Sequence, residues 1–393
     1  MTTFVPLGEI VGPAAIERAG TRNLTVLSMT SSKGLVPQSS VFKKRVASRD
    51  LANYKIVRPN QLVVGIHIDE GAVGFSGAEQ VGIVSPAYTI WDLQNPASIH
   101  VPYLERFIRS PRALTYFASK YRETAERRGK LTKDQFLSLS VPLPDVAMQR
   151  RIASILDKSD TLRIKRREAL VQLDRLARSI FLEMFGDTRR RRWPVVRVEE
   201  VAASSDGAIR TGPFGSQLLH SEFVDEGIAV LGIDNAVANE FRWGERRFIT
   251  EAKYRTLRRY TVKPGDVLIT IMGTCGRCAV VPDDIPPAIN TKHLCCITLD
   301  KTKCLPTFLH SYFLWHPTAR HYLAQTSKGA IMDGLNMGII RAMPIVTPPV
   351  SLQEEFSARL DAIDECKAAS SSAVSQAEAL FTSVQHRAFR GEL

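Results

Sequence analysis

Long apolar runs are missing from this chain: no stretch approaches the ~20 consecutive apolar residues that a membrane-spanning helix needs. The opening Met1-Thr2-Thr3-Phe4-Val5 has neither the charged head nor the apolar core of a secretion signal. A cytoplasmic protein without a membrane partner is therefore expected. Cysteine is scarce, 6 residues in 393, and every one lies between Cys275 and Cys366. That distribution excludes a secreted disulfide framework and fits a reducing compartment. Cys275-Gly276-Arg277-Cys278 has no second Cys-x-x-Cys pair to complete a four-ligand zinc site, so no metal is expected.

The signatures of catalysis are missing as well. No Gly-x-x-x-x-Gly-Lys-Ser/Thr loop is present to cradle a nucleotide phosphate. Gly71-Ala72-Val73-Gly74 is too short, and lacks the following helix, to bind a dinucleotide or a methyl donor. Ile285-Pro286-Pro287-Ala288 lacks the polar head of an amino-methyltransferase motif, and acidic residues do not cluster with histidine as a metal-dependent nuclease requires. The reading is a chain with no catalytic residues and no cofactor of its own.

Acidic residues are also in deficit, 40 against 52 lysines and arginines, which leaves a formal charge of +12 and a pI near 9.5. A basic excess of this size points first to nucleic acid and second to an anionic membrane surface.

What is present is a duplication. Val141-Pro142-Leu143-Pro144-Asp145 opens a strongly helical stretch with the row Met148, Ile152, Ile155, Leu162, Ala169, Leu173, Leu176 and Ile180, ending at Gly186-Asp187. Steps of four and three sustained over several heptads predict a coiled-coil seam, interrupted by Ser159 and Arg166. A second such helix opens at Pro348-Pro349-Val350-Ser351-Leu352-Gln353 and carries Phe356, Leu360, Ile363, Val374, Ala377, Phe381, Val384 and Ala388. Pro144 aligns with Pro348, Gln149 with Gln353, Leu176 with Leu380 and Phe185 with Phe389.

The stretches before the helices repeat too. Val57-Arg58-Pro59 followed by Leu62 matches Val262-Lys263-Pro264 followed by Val267, a turn feeding an apolar strand. The helical period around Tyr103–Tyr121 returns at Leu305–Leu323, and Ser48–Tyr54 reads as a short helical patch. The expected organisation is a globular domain over residues 1–142, a helix over 143–187, a second domain over 188–345 and a closing helix over 346–393. Repeats on this scale define the architecture. Two units related by a rough twofold axis pair their helices antiparallel, and ~40 residues at ~1.5 Å each make a rod of ~60 Å.

A basic, two-headed, pseudo-twofold molecule suits two separated half-sites on duplex DNA. Because the two heads differ in sequence, the target should be bipartite and asymmetric. Thr211, Gly212, Phe214, Ser216 and Gln217 lie in a glycine-bracketed loop whose backbone is expected to approach DNA closely, with Ser216 and Gln217 able to hydrogen-bond to phosphate or base. Lys292 and His293 follow a turn. Lys328 stands where Arg127, Arg128 and Lys130 stand in the first half, and Lys33, Lys43, Lys44 and Arg45 form a further basic group. All are candidate DNA contacts. Arg189–Arg192 is either a nucleic-acid arm or a linker meeting a helix end or a partner.

Thr211-Gly212-Pro213-Phe214-Gly215-Ser216-Gln217-Leu218, the Tyr260–Thr270 run and Met272–Val280 together resemble the second target-recognition domain of type I restriction-modification specificity subunits. Gly82–Tyr88, Pro348–Gln353 and the ending Ala388-Phe389-Arg390-Gly391-Glu392-Leu393 are similar to other signatures of that family, so the resemblance covers the whole chain. It implies an α+β fold: two mixed α/β target-recognition domains separated by an antiparallel two-helix coiled coil, in a pseudo-twofold internal repeat. It implies a non-catalytic subunit that reads double-stranded DNA, binds two methyltransferase subunits and recruits restriction/translocase subunits. S-adenosylmethionine, ATP and Mg²⁺ would belong to those partners, and the target adenine would be flipped into a partner's pocket. Gln149, Arg150, Ile152, Gln353 and Phe356, at the helix starts, are the implied partner contacts. The alternatives are a stand-alone two-headed DNA-binding regulator and the specificity part of another restriction-modification type.

Overall fold

The computed structural model describes residues 3–31, 33–42, 50–77, 81–123, 131–187, 192–326 and 335–392. The chain divides into two compact units, Met1–Arg167 with Ser372–Leu393, and Glu168–Ser371. Both mix short strands with helices, an α+β fold.

In the first unit Leu62–Val64 is buried throughout and sits inside a sheet ordered Val11–Pro13, Thr89–Leu93, Leu62–Val64, Val73–Phe75. A continuous apolar run of this kind is what a strand covered on both faces requires. A second sheet runs Gly34–Pro37, Thr25–Thr30, Gly82–Val84, Lys55–Val57, with Thr25 paired parallel to Gly82. Thr3–Pro6 pairs antiparallel with Ser140–Leu143. Helices Val101–Ile108 and Pro111–Glu123 close one side, burying Tyr103, Leu104, Phe107 and Phe117.

The second unit repeats each feature. Val267–Thr270, also buried throughout, sits in a sheet ordered Ile209–Thr211, Leu294–Ile297, Val267–Thr270, Cys278–Val280. Its companion runs Phe248–Ile249, Ile228–Leu231, Ala288–Asn290, Thr261–Val262, again with one parallel pair, Ala229 to Ala288. Val195–Arg197 pairs with Pro344–Val346, and helices Pro306–Trp315 and Pro317–Thr326 take the place of the first pair. The prolines that open the paired helices, Pro111 and Pro317, sit where a missing N–H costs nothing.

The repeat extends to the turn before the buried strand. Asn60 (φ 60°) and Gly265 (φ 77°) supply the left-handed residue of that turn in the two units. The next side chain then accepts from the turn's own backbone: Gln61 Oε1 from Arg58 N at 2.7 Å, and Asp266 Oδ2 from Lys263 N at 2.9 Å. Gln61 goes on to donate to Asp92, while Asp266 accepts from Thr298 Oγ1 at 2.6 Å and Arg210 Nη2 at 2.6 Å. The helical reading of Ser48–Tyr54 is corrected over its described part. There Asp50–Tyr54 is a turn, with Ala52 N donating to Asp50 Oδ1 and Tyr54 N to Leu51 O. An aspartate that accepts from its own neighbour's backbone competes with helix formation.

The two long helices are Val146–Phe185, 40 residues, and Val350–Ala388, 39 residues. The first begins in the core of the first unit with Ile152, Ala153 and Leu156 and ends in that of the second with Phe181 and Phe185. The second helix does the reverse, from Phe356 in the second core to Ala388, with Phe389 just beyond it, in the first. Within the first unit Arg163 lies over the Phe381 ring at 4.7 Å and Arg167 pairs with Glu378. Within the second, Lys367 pairs with Asp174 at 2.9 Å. The expected second-helix row is inward, with Phe356, Ile363, Ala377 and Ala388 buried. The expected first-helix row is corrected in part: Leu162 and Leu176 are exposed, and Leu156, Ala177 and Phe181 are buried instead. Among the described residues no helix is long and apolar enough to cross a membrane.

Candidate nucleic-acid interface

Two segments singled out in the sequence meet in the second unit. Gly212 is buried, and its N–H donates to Thr291 O at 3.2 Å. A Cβ on Gly212 would lie 1.9 Å from Asn290 O, so no other residue lets the loop approach the turn this closely. That contact brings Pro213 and Gly215 to one wall of an open cleft of about 800 Å³, with Thr291, Lys292 and His293 on the other. Gly232, Ile233, Asp234, Glu245 and Arg247 complete much of the lining.

Phe214 and Ser216 are exposed, Phe214 by 49%, so this aromatic ring is no part of the core. Thr211 is half-buried at the end of its strand. Gln217 has a structural role: its Oε1 accepts the Tyr260 hydroxyl at 2.8 Å and the Phe214 N–H at 3.3 Å, which ties the loop down. Gly212 likewise acts by closeness of packing within the chain. Burial, then the neighbouring Lys292 and Arg247, hold the His293 imidazole below its ordinary pKa. It is therefore neutral at pH 7, with one ring nitrogen to donate and one to accept.

The sequence reading missed Arg247, Asp234, Trp243 and Arg246. Arg247 pairs with Asp234 inside the cleft. Trp243 is exposed, lies edge-on to Phe241 at 5.3 Å and carries the Arg246 guanidinium at 5.1 Å. The signal was available in Phe241-Arg242-Trp243-Gly244-Glu245-Arg246-Arg247, where aromatic and basic residues interleave as single- and double-stranded nucleic-acid surfaces require.

In the first unit Lys33 is exposed, its backbone N–H donating to Thr30 Oγ1, and lines a cleft with Arg106, Arg109 and Arg163. Those arginines are engaged. Arg106 donates to Asp157 at 2.7 Å, Arg109 to Ser31 O at 2.7 Å and Arg163 to Asp160 at 2.5 Å. Burial raises the pKa of Glu105, while Phe75 N–H, Arg109 and Arg106 oppose it. Lys43, Lys44, Arg45, Arg127, Arg128, Lys130 and Lys328 lie outside the described residues, as do residues 189–191 of the arginine run.

The expected partner contacts are corrected at four positions. Gln149 is fully buried and spends its side chain inside the first unit: Nε2 donates to Ser98 O and Pro144 O, and Oε1 accepts from His100 N. Gln353 does the same in the second unit, with Lys303 O, Pro348 O and Leu305 N. Each glutamine clamps a helix start to its own domain. Ile152 and Phe356 are buried in the cores. Of the five, only Arg150 is exposed.

No protein-family model matches the sequence. The specificity subunit of the type I restriction enzyme EcoBI of Escherichia coli is 26% identical over 174 residues, 43% of this chain and 36% of its own length. That of MjaVIII from Methanocaldococcus jannaschii is 22% identical over 251 residues, 59% of this chain and 57% of its own. The chain thus spans well under two thirds of either relative. A solved chain from work on the assembly and conformational transition of a type I restriction-modification system matches all of this chain and 98% of its own length, at TM-score 0.63 and 17% identity. The S subunit of the type I system of M. genitalium matches 99% and 96%, at TM-score 0.53 and 12% identity.

The chain shares the fold of these two solved chains. In sequence it resembles the type I specificity subunits of EcoBI and MjaVIII, the family to which the motifs pointed.

Proposed function

We propose that this chain is the non-catalytic DNA sequence-specificity subunit of a type I restriction-modification complex. Each globular domain reads one half of a bipartite, asymmetric double-stranded target. The long helices act as an antiparallel two-helix coiled coil that sets the spacer and docks two methyltransferase subunits, with restriction/translocase subunits joining the assembly. S-adenosylmethionine, ATP and Mg²⁺ reside on those partners.

The observation that carries this reading is the duplication itself. The same sheet orders, the same turn and the same glutamine clamp recur in two units whose surface loops differ. One scaffold used twice with different loops is what reading two unlike half-sites demands. The relatives named as specificity subunits add to it.

The test is methyl transfer from labelled S-adenosylmethionine to duplex DNA. The purified chain alone should transfer nothing. Adding its cognate methyltransferase subunit should give methylation at a two-part sequence with a fixed unread spacer. Methylation by the chain alone, or a partner whose target is indifferent to this chain, overturns the proposal.

A further inference from the structure

The cleft of the second unit holds an arrangement that the proposed function does not yet use. Among the described residues, the buried side-chain polar atoms that lack a hydrogen-bond partner include Asp234 Oδ2, Arg247 Nε, Asn290 Oδ1 and Thr291 Oγ1. Asp234, Arg247 and Thr291 line the cleft, and Asn290, fully buried, adjoins Thr291. Unpaired buried polar atoms are costly, and a group of them at one cleft marks hydrogen-bonding capacity held for something that enters it.

Arg247 is the centre of the arrangement. Its side chain is 30% exposed, recessed rather than splayed on the rim, and Nη2 donates to Asp234 Oδ1. Asp234 is itself wedged, because a Cβ on Gly244 would lie 2.1 Å from Asp234 Oδ2. The carboxylate therefore holds Nη2 in place, against Gly232, where a Cβ would lie 2.5 Å from that nitrogen. One Nη2 hydrogen is consumed; the guanidinium keeps further N–H donors, and its planar fork can present two of them side by side to a ligand.

The charge balance says what those donors meet. Asp234 lies against Arg247 and repels a phosphate, so the pair as a unit has little attraction for the DNA backbone. Exposed, unclamped cations suit phosphates better, and Arg246 beside Trp243 is one. A held guanidinium that can present two donors side by side, its charge neutralised, suits an uncharged base edge with two acceptors in line. In the major groove only guanine offers that, through O6 and N7.

We infer that Arg247, oriented by Asp234, reads a guanine in the half-site of the second domain. The inference rests on the proposed function and adds to it the residue and the base. Arg247 is the reading residue and Asp234 the positioning one.

The experiment presents the complete methyltransferase complex with duplexes randomised in both half-sites and sequences the methylated products. The wild-type complex should retain a G·C pair in one half-site. With Arg247→Ala, preference at that single pair should fall by roughly ten- to a hundredfold, the other half-site staying as it was. Asp234→Asn should keep the preference for G and weaken it, a readout that a merely structural aspartate would not produce. If Arg247→Ala lowers the melting temperature, Arg247→Met keeps the aliphatic stem and is read instead. The inference is overturned if the target is unchanged. It is equally overturned if methylation of all sequences falls together with a shallower salt dependence, the mark of a phosphate contact. A wild-type complex that selects no sequence sinks the proposed function instead, and the wild-type products alone reveal it.

Discussion

At the residue scale, the two units solve one problem with different chemistry. The turn before the buried strand needs an acceptor for its own N–H, and Gln61 supplies an amide where Asp266 supplies a carboxylate. The carboxylate carries a cost: at 1% exposure it has to be neutralised, and Arg210, 10% exposed, does so at 2.6 Å with Thr298 adding a hydroxyl. Asp266→Ala should therefore destabilise the second unit by about 3–5 kcal/mol, because it strands a buried guanidinium. Urea unfolding followed by tryptophan fluorescence measures this, and a loss under 1 kcal/mol would contradict it. Histidines set a second expectation. His316 Nδ1 accepts from Thr318 N at 3.1 Å, so Nε2 carries the proton and donates to Phe185 O at 3.2 Å. Burial lowers the pKa of His316, and of His310, against the weaker pull of the carbonyls they contact. The folded state thus stays neutral where the unfolded chain, titrating near ~6.5, takes up protons. Stability is full above that value and falls as the pH drops below it. Melting temperatures between pH 7.5 and 5.5 should decline, and His316→Gln should flatten the decline.

At the element scale, each long helix is held most firmly at its ends. Phe185 packs against Phe308 at 4.9 Å and Phe356 at 5.7 Å; Phe389, just past the second helix, meets Phe107 at 5.2 Å and Tyr103 at 5.9 Å. The middles are polar, with Arg163 on Phe381, Arg167 with Glu378 and Lys367 with Asp174. Exposed pairs of this kind contribute ~1 kcal/mol or less, so each helix is anchored chiefly by the aromatic contacts its ends make within the units. The existence, start and stop of both helices were legible from Pro144, Gly186 and Pro348. The first helix's inward face was not fully legible, because Leu162 and Leu176 fit the heptad yet point outward. A seam anchored by Ala177 and Phe181 is shifted by one residue, and a shift of one turns the stripe by ~100°. Leu162→Lys and Leu176→Lys should thus change stability by less than about 0.5 kcal/mol, whereas Phe181→Ala should cost about 3–5 kcal/mol. Thermal melts of the three variants decide it; a large loss in either lysine variant would reinstate the heptad reading.

At the scale of the whole molecule, charge is the property that matters most. On the proposed function, a net charge of +12 makes phosphate contacts the bulk of the DNA affinity. DNA binding by the assembled complex should weaken steeply between 50 and 200 mM salt, roughly tenfold to a thousandfold or more for several phosphates neutralised. Arg246→Ala should lower that slope by about one without altering the methylated sequence, in contrast to Arg247. Fluorescence anisotropy across a salt series provides the slope, and an unchanged slope would remove Arg246 from the phosphate contacts.

The sequence by itself determined the duplication, the two helices and, separately, the Gly212 loop and the turn before Lys292. Each is written in local periodicity, in proline and glycine positions, or in the plain recurrence of a pattern. That loop and turn meet only in the folded chain. Only the tertiary structure decided which polar residues are spent inside the chain. Gln149 and Gln353 look like free binding groups in a string of letters, yet each is consumed by backbone partners, and Gln217 spends its Oε1 on Tyr260, 43 residues away. Arg247 shows the converse, one arginine among several until Asp234 and Gly244 fix it in a cleft with unpaired neighbours. Hydrogen-bond satisfaction is a property of groups brought together across the sequence, and no local pattern encodes it.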